Sequence, residues 1–61
     1  PSPDEVKKAY AILDAMKEAR EKGQGAVALD GKLIDLASIR QAEAMVTKFE
    51  AGGGSRAELT G

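Results

Sequence analysis

The 61-residue sequence contains no cysteine and no histidine, and only one tyrosine and one phenylalanine. Without cysteine no disulfide can stabilise so small a chain, and without cysteine and histidine no cluster has the spacing of a metal site. Two aromatic rings supply little bulk for a core, and alanine is the commonest apolar residue. A free-standing domain of this size buries only about 60% of the surface that its unfolded chain exposes. These shortages favour a part of a larger protein over an independent domain.

An excess of charge of one sign and a long apolar run are absent as well. Nine basic residues against ten acidic ones leave no electrostatic footprint for nucleic acid. No apolar run approaches the roughly 18 residues that a membrane span needs, and the N-terminus lacks the pattern of a signal peptide. We therefore predict no nucleic-acid partner, no membrane segment and a cytoplasmic location, which the lack of cysteine also fits. The sequence lacks an initiator methionine, so we expect cleavage or excision from a longer chain.

The first part of the chain has the pattern of a helix. Ser2-Pro3-Asp4-Glu5 combines an N-cap, a proline at the first helical position and a capping box, and Gly23 is a typical C-terminal stop. We predict a helix over about 3–22. Its apolar residues recur at spacings of three and four and define a buried face, which consists of Val6, Ala9, Tyr10, Leu13 and Met16, widened by Ile12 and Ala19.

A second helical pattern follows Asp35. Aspartate is a preferred N-cap residue, and no helix breaker occurs until Gly52, so we predict a helix over about 36–51. Residues 52–61 are predicted to form a flexible tail. The predicted inner face of this helix consists of Leu36, Ile39, Ala42, Val46 and Phe49, with Ala44 and Met45 beside it.

Between the two helices the pattern changes to that of a β-hairpin over about 26–34. Two short strand-like runs, 26–29 and 32–34, are separated by Asp30-Gly31, and Asp-Gly fits the two positive-φ positions of a type I′ turn. The preceding Gly23-Gln24-Gly25 is either a plain connector or a hinge for a moving segment. The predicted fold class is α+β, with a small α-β-β-α unit over residues 1–51.

Asp35 is the candidate residue for chemistry. The chain has no His or Cys to form a nucleophile–base pair, Asp30 is explained by the turn, and Lys32 by the exposed strand edge. As an N-cap that accepts the amide hydrogens near residues 37 and 38, Asp35 has sufficient structural reason to exist. A carboxylate at a strand-to-helix junction is also placed to be presented rigidly to a neighbouring cleft. The residues alone leave both interpretations open.

Several strings of the sequence resemble one known segment, the C-terminal end of the citrate lyase β-subunit and malyl-CoA lyase family of aldolase-like acyl-thioester lyases. The resemblance covers residues 1 to about 49, and the chain has Leu36 where many relatives carry proline. The strings are Ser2-Pro3-Asp4-Glu5-Val6, the series Ala15…Glu18-Ala19…Gly23, Gly25-Ala26-Val27-Ala28-Leu29-Asp30-Gly31-Lys32-Leu33-Ile34-Asp35, and Ile39-Arg40-Gln41-Ala42.

The resemblance implies a (β/α)₈ TIM-barrel enzyme that binds Mg²⁺ and a coenzyme A or carrier-protein thioester. It implies that this segment is a C-terminal lid, which packs over the active site of an adjacent subunit in a homo-oligomer, a trimer or hexamer. Asp35 matches the aspartate that such a lid contributes to catalysis, whereas the barrel binds the Mg²⁺. The implied reactions are carbon–carbon cleavage or condensation of 3-hydroxyacyl thioesters and, in some members, thioester hydrolysis. The fragment alone is expected to be inactive.

A different class of function also fits the residues. The chain can be a small free-standing helical module that binds a partner protein and has no catalytic activity. Its binding surface would be the apolar face of the second helix, formed by Leu36, Ile39, Val46 and Phe49.

Overall fold

The computed structural model, which describes residues 2–59, consists of two helices connected through a small β-hairpin. Its elements are α1 (Pro3–Glu21), β1 (Ala28–Leu29), β2 (Lys32–Leu33), α2 (Leu36–Ala51) and a short 3₁₀ helix (Arg56–Leu59). The two α-helices are antiparallel, because Tyr10 near the start of α1 contacts Phe49 and Glu50 near the end of α2. The predicted α+β class is therefore confirmed.

Both ends of α1 are held by the local interactions that its sequence predicts. At its start the Ser2 hydroxyl accepts the backbone N–H of Glu5 at 3.3 Å. At its end the backbone N–H of Gln24 donates to the carbonyl of Ala19 at 2.8 Å, around Gly23 with φ +69°, which is a Schellman-type stop. No helix among residues 2–59 is both long enough and apolar enough to cross a membrane.

The hydrophobic core lies between α1 and α2. Most of the apolar side chains predicted to face inward are buried or half-buried there, but Leu36 is 62% exposed and the prediction for it was wrong. A helical side chain tilts toward the N-terminus of its helix, so that of the first residue projects beyond the end of α2. Ala44 is also exposed. The buried residues are Val6, Ala9, Tyr10, Ile12 and Ala19 of α1 and Ile39, Ala42 and Val46 of α2.

The hairpin has the predicted type I′ turn, since Asp30 and Gly31 have φ angles of 54° and 77°. Ala28 pairs with Leu33, and Leu29 pairs with Lys32. One further backbone hydrogen bond, from the N–H of residue 34 to the carbonyl of residue 27 at 2.8 Å, extends the ladder toward α2. The inward-facing side chains, which pack against the helical core, are Val27, Leu29 and Ile34.

After α2, the segment predicted to be a flexible tail over 52–61 contains the 3₁₀ helix. The 3₁₀ helix lies against α1, where the Arg56 guanidinium donates to both carboxylate oxygens of Asp14 and lies 5.2 Å from the centre of the Tyr10 ring. Leu59 packs on the edge of the core. The sequence did not predict these contacts, because the partners lie more than 40 residues away in the sequence, where a local pattern carries no signal. Residues 60 and 61 of the predicted tail lie outside the described residues.

Candidate functional site

Asp35 lies at the junction of β2 and α2, and its structural role is clear. Its backbone is extended, with φ −80° and ψ 165°, and its Oδ1 accepts the backbone N–H of Ser38 at 2.7 Å. Its carbonyl accepts the N–H of Ile39 at 3.1 Å, which begins the helical hydrogen bonds. Asp35 is therefore the N-cap of α2. An ionised carboxylate offers about four lone-pair sites, so the cap leaves capacity for a further partner.

Ser38 also controls the charge of this site. Its backbone N–H, and secondly its hydroxyl, lower the pKa of Asp35 below the ordinary value, against a smaller opposing effect of desolvation. Hydrogen bonds donated to a carboxylate favour its ionised form. In the exposed state Asp35 is thus a carboxylate at neutral pH, ready to accept a proton. It can donate one only after its surroundings have raised its pKa.

Two exposed leucines flank Asp35. Leu33 is 78% exposed and Leu36 is 62% exposed, and they are the large hydrophobic side chains that residues 2–59 leave exposed. Side chains alternate between the two faces of an extended chain, so Leu33 and Asp35 share the face of the hairpin that points away from the core. The helical pattern wrongly placed Leu36 inside and drew no attention to Leu33. The two-residue alternation from Leu33 to Asp35 is the signal that could have identified Leu33.

The described residues do not fit a metal site. Among residues 2–59 no group of three or more His, Cys, Asp or Glu side chains is arranged to hold a metal ion. Mg²⁺ prefers octahedral oxygen coordination with one or two carboxylates and other oxygen ligands, and Asp35 is a single carboxylate already engaged by a helix cap. No chemical step is therefore assigned to a metal bound by these residues.

A concavity of about 640 Å³ lies elsewhere, between α1 and the 3₁₀ helix. Its central polar groups pair with one another. The Arg56 guanidinium lowers the pKa of Asp14, and the Tyr10 hydroxyl donates to Oε2 of Glu50 at 2.7 Å. Neither Asp35 nor a residue next to it lines this groove. Its charged groups hold the C-terminal segment to α1, so we assign it a structural role.

No family model matches the chain, but curated proteins do. The L-malyl-CoA/beta-methylmalyl-CoA lyase of Rhodobacter capsulatus is 48% identical over 50 residues, and the protein of the same name from Cereibacter sphaeroides is 46% identical over 50 residues. In both cases the match covers 82% of this chain and 16% of the relative. The mitochondrial citramalyl-CoA lyase of Homo sapiens is 38% identical over 47 residues, which are 77% of this chain and 14% of that protein.

The chain thus spans about one sixth of the length of these relatives, since the share is 16% for the bacterial lyases. The printed names describe lyases of coenzyme A thioesters, which confirms the resemblance to malyl-CoA lyases. A continuous 50-residue match within 61 residues includes residue 35 wherever it begins. Asp35 is therefore part of the matched segment.

Proposed function

We propose, from the homology of this chain to a segment of the malyl-CoA and citramalyl-CoA lyases, that it is the lid of a carbon–carbon lyase acting on acyl-CoA thioesters. In this proposal the rest of the enzyme is a cytoplasmic, homo-oligomeric TIM barrel, and the lid closes over the active site of an adjacent subunit. The lid supplies Asp35, and the Mg²⁺ of such an enzyme is bound by the barrel. The observation that carries the proposal is the 46–48% identity over a segment that includes Asp35.

The surface of the unit supports the role of a lid. Its accessible surface is 4458 Å², whereas the scaling for a compact folded monomer of 6.4 kDa gives about 3,800 Å². The excess indicates that this small unit is less compact than a free-standing folded monomer of its mass. A mobile cover that closes on a larger body hides such surface and excludes water from the reaction at the same time.

Asp35 has the chemistry that proton transfer next to a thioester requires. In the condensation direction its carboxylate removes a proton from the methyl carbon of an acetyl thioester, the resulting enolate carbon attacks the carbonyl carbon of the second substrate, and the oxygen of that carbonyl takes up a proton from water. In cleavage the hydroxyl group gives its proton to water and becomes the carbonyl, the carbon–carbon bond breaks with its electron pair remaining on the thioester's carbon, and protonated Asp35 returns a proton to that carbon. Burial on closure raises the pKa of a carboxylate, which opposes the effect of Ser38. Closure would therefore raise the pKa of Asp35, so that the protonated form needed for cleavage becomes accessible as well as the ionised form.

The structure buries most of the α2 face that a partner-binding module would use. Ile39 and Val46 are buried against α1, and Phe49 is half-buried with its ring edge-on to Tyr10 at a centroid distance of 6.4 Å. Of the four residues in the predicted binding face, only Leu36 remains exposed. A partner would have to separate the two helices to reach the others.

Asp35→Asn in the full-length enzyme tests the catalytic role of this residue. Asn and Asp are comparable N-caps, so the thermal stability should change little. Loss of the ionisable carboxylate should slow turnover of the acyl-CoA substrate at least about a hundredfold, because general acid–base catalysis is typically worth about 10²–10⁴-fold. Asp35→Ala is the matched control, which loses the cap as well and adds about 1 kcal/mol of destabilisation. Near-normal turnover of Asp35→Asn would leave Asp35 with its capping role alone.

The lid role has a separate test. A barrel truncated before this segment should turn over slowly, and addition of the 61-residue chain in trans should restore part of the rate. The chain carrying Asp35→Asn should bind the truncated barrel equally well without restoring turnover. If the wild-type chain restores nothing at saturating concentration, the segment is not a lid that acts on the barrel's active site.

A further inference from the structure

We propose that Leu33 and Leu36 are the docking contacts through which this segment closes on the catalytic barrel, and that their burial there sets the position of the Asp35 carboxylate. The inference rests on the proposed function and deepens it by identifying the surface that the lid uses and the kind of partner surface that it fits. Leu33 and Leu36 are positioning residues in this proposal, since they act on the reaction only through Asp35.

The placement of the two leucines is the first support. One precedes Asp35 by two residues and the other follows it directly, and 78% and 62% of their respective surfaces are exposed. Single exposed apolar side chains are common, but these two lie within four residues of the sequence, on either side of an exposed carboxylate. The other large apolar side chains of the hairpin, Val27, Leu29 and Ile34, face the core. The leucines are therefore not needed to hold the hairpin to the helices.

The rigidity of the connection is the second support. Asp35 is fixed to α2 by the 2.7 Å bond from the Ser38 N–H, and residue 34 is fixed to the hairpin by its 2.8 Å bond to the carbonyl of residue 27. Leu33 is paired with Ala28 in the ladder, and Leu36 is the first residue of α2. The carboxylate and the two leucines thus belong to one continuous, hydrogen-bonded stretch. A surface that receives the leucines also determines where the carboxylate lies.

The barrel is the occupant to which the proposal commits. Each matched bacterial relative has this segment as only 16% of its length, so the remaining five sixths supply the surface on which a lid can close. The 4458 Å² that the unit exposes exceeds the area of about 3,800 Å² expected for its mass. The docking surface expected on the barrel is an apolar rim beside a polar cleft, because the leucines need apolar cover while Asp35 needs access to the substrate.

The test uses the full-length enzyme with Leu33→Ser and Leu36→Ser, each compared with its conservative counterpart, Leu33→Met or Leu36→Met. Burying one leucine corresponds to about tenfold or more in a binding equilibrium. Each serine variant should therefore lower kcat/KM for the acyl-CoA substrate about tenfold, and the methionine variants should stay near wild type. Thermal stability should be nearly unchanged, because both side chains are exposed in the lid itself. Leu29→Ser, which faces the core, is the control expected to lower the melting temperature.

Asp35→Asn in the same assay separates the failure of this inference from the failure of the proposed function. If Asp35→Asn is slow and both serine variants are as active as wild type, the leucines do not dock and the inference is wrong, while the function stands. If Asp35→Asn and the serine variants are all fully active, the proposed function fails as well. Self-association of the 61-residue chain that is lost in Leu33→Ser, with normal kinetics of that variant, would identify a second copy as the occupant and overturn the proposal.

Discussion

At the scale of the residue, Asp35 combines a structural role with a proposed chemical one. Its Oδ1 caps α2 through the Ser38 N–H, which holds the carboxylate in one orientation without burying it. The cap also favours the ionised form, since the donors on Ser38 lower the pKa of Asp35. A proton acceptor at fixed position and in the charged state is what the condensation direction of a lyase requires.

Ser38→Ala should change the pH dependence of the full-length enzyme. The variant keeps the backbone N–H but loses the hydroxyl, which is the second contribution that lowers the pKa of Asp35. The pKa should rise toward its ordinary value, and the acidic limb of the kcat/KM profile in the condensation direction should shift to higher pH. Ser38→Thr keeps a hydroxyl and is the control. Identical acidic limbs in Ser38→Ala and Ser38→Thr would show that the hydroxyl does not tune Asp35.

The lowered pKa of Asp35 also makes the folding stability depend on pH. Asp35 has a lowered pKa in the folded state, so its stabilising effect is present above the ordinary pKa of aspartate and is lost as the pH falls through the lowered value. The stabilising effect of ionised Asp35 is therefore lost only in acidic solutions, at pH values below the ordinary pKa of aspartate. At neutral pH, where turnover is measured, the cap is fully ionised.

At the scale of the element, the hairpin depends on its turn. Each strand has two residues, and a two-stranded hairpin alone is only marginally stable in water. The positive φ angles of Asp30 and Gly31 provide the twist that matches the paired strands. The turn and the inward-facing side chains together place Leu33 and Asp35 on the outward face.

Gly31→Val should therefore weaken the hairpin. A Cβ at position 31 meets no heavy atom within 4 Å, so the cost is backbone strain at φ +77°, on the order of 1–3 kcal/mol. We expect slower turnover of the full-length enzyme while the rest of the enzyme remains folded. Gly25→Val is the matched control, because its Cβ also enters open space and its φ is not positive. Equal turnover of the two variants would contradict the strained-turn explanation.

At the scale of the whole molecule, few interactions hold the unit together. Among residues 2–59, eight hydrophobic residues are buried, and three of them are alanines. The C-terminal segment is attached by the Arg56–Asp14 pair, whose side chains are both 54% exposed. Exposed ion pairs typically contribute about 0–1 kcal/mol and are screened by salt. The remaining stabilising contacts are mainly the alanine-rich packing of α1 on α2 and the packing of the hairpin side chains against it.

We therefore expect the isolated 61-residue chain to be marginally stable. Burial and chain entropy nearly cancel at this size, and no disulfide assists folding. Circular dichroism of the monomer on heating should show unfolding with a midpoint no higher than the usual range of mesophilic domains, about 45–65 °C. A cooperative transition above about 70 °C would show that the unit is an independent domain with a sufficient core.

The sequence by itself determined the features that depend on neighbours within about four residues. The Ser2 and Asp35 caps, the stop at Gly23 and the Asp30-Gly31 turn all follow from such local preferences, and the 3.6-residue period located most of the core. The candidate site was predictable for the same reason, because the capping role of Asp35 depends only on the residues that directly follow it in α2.

Only the tertiary structure decided which apolar residues are buried and where the 3₁₀ helix after α2 packs. Leu36 continues the apolar stripe of α2, yet it is 62% exposed, because the side chain of the first helical residue projects beyond the N-terminal end of that helix. Arg56 reaches Asp14 across 42 residues of sequence, a contact that exists only once the helices have packed. The proposed docking surface around Asp35 depends on the exposure of Leu36, which follows from how the elements assemble and not from the pattern along any one of them.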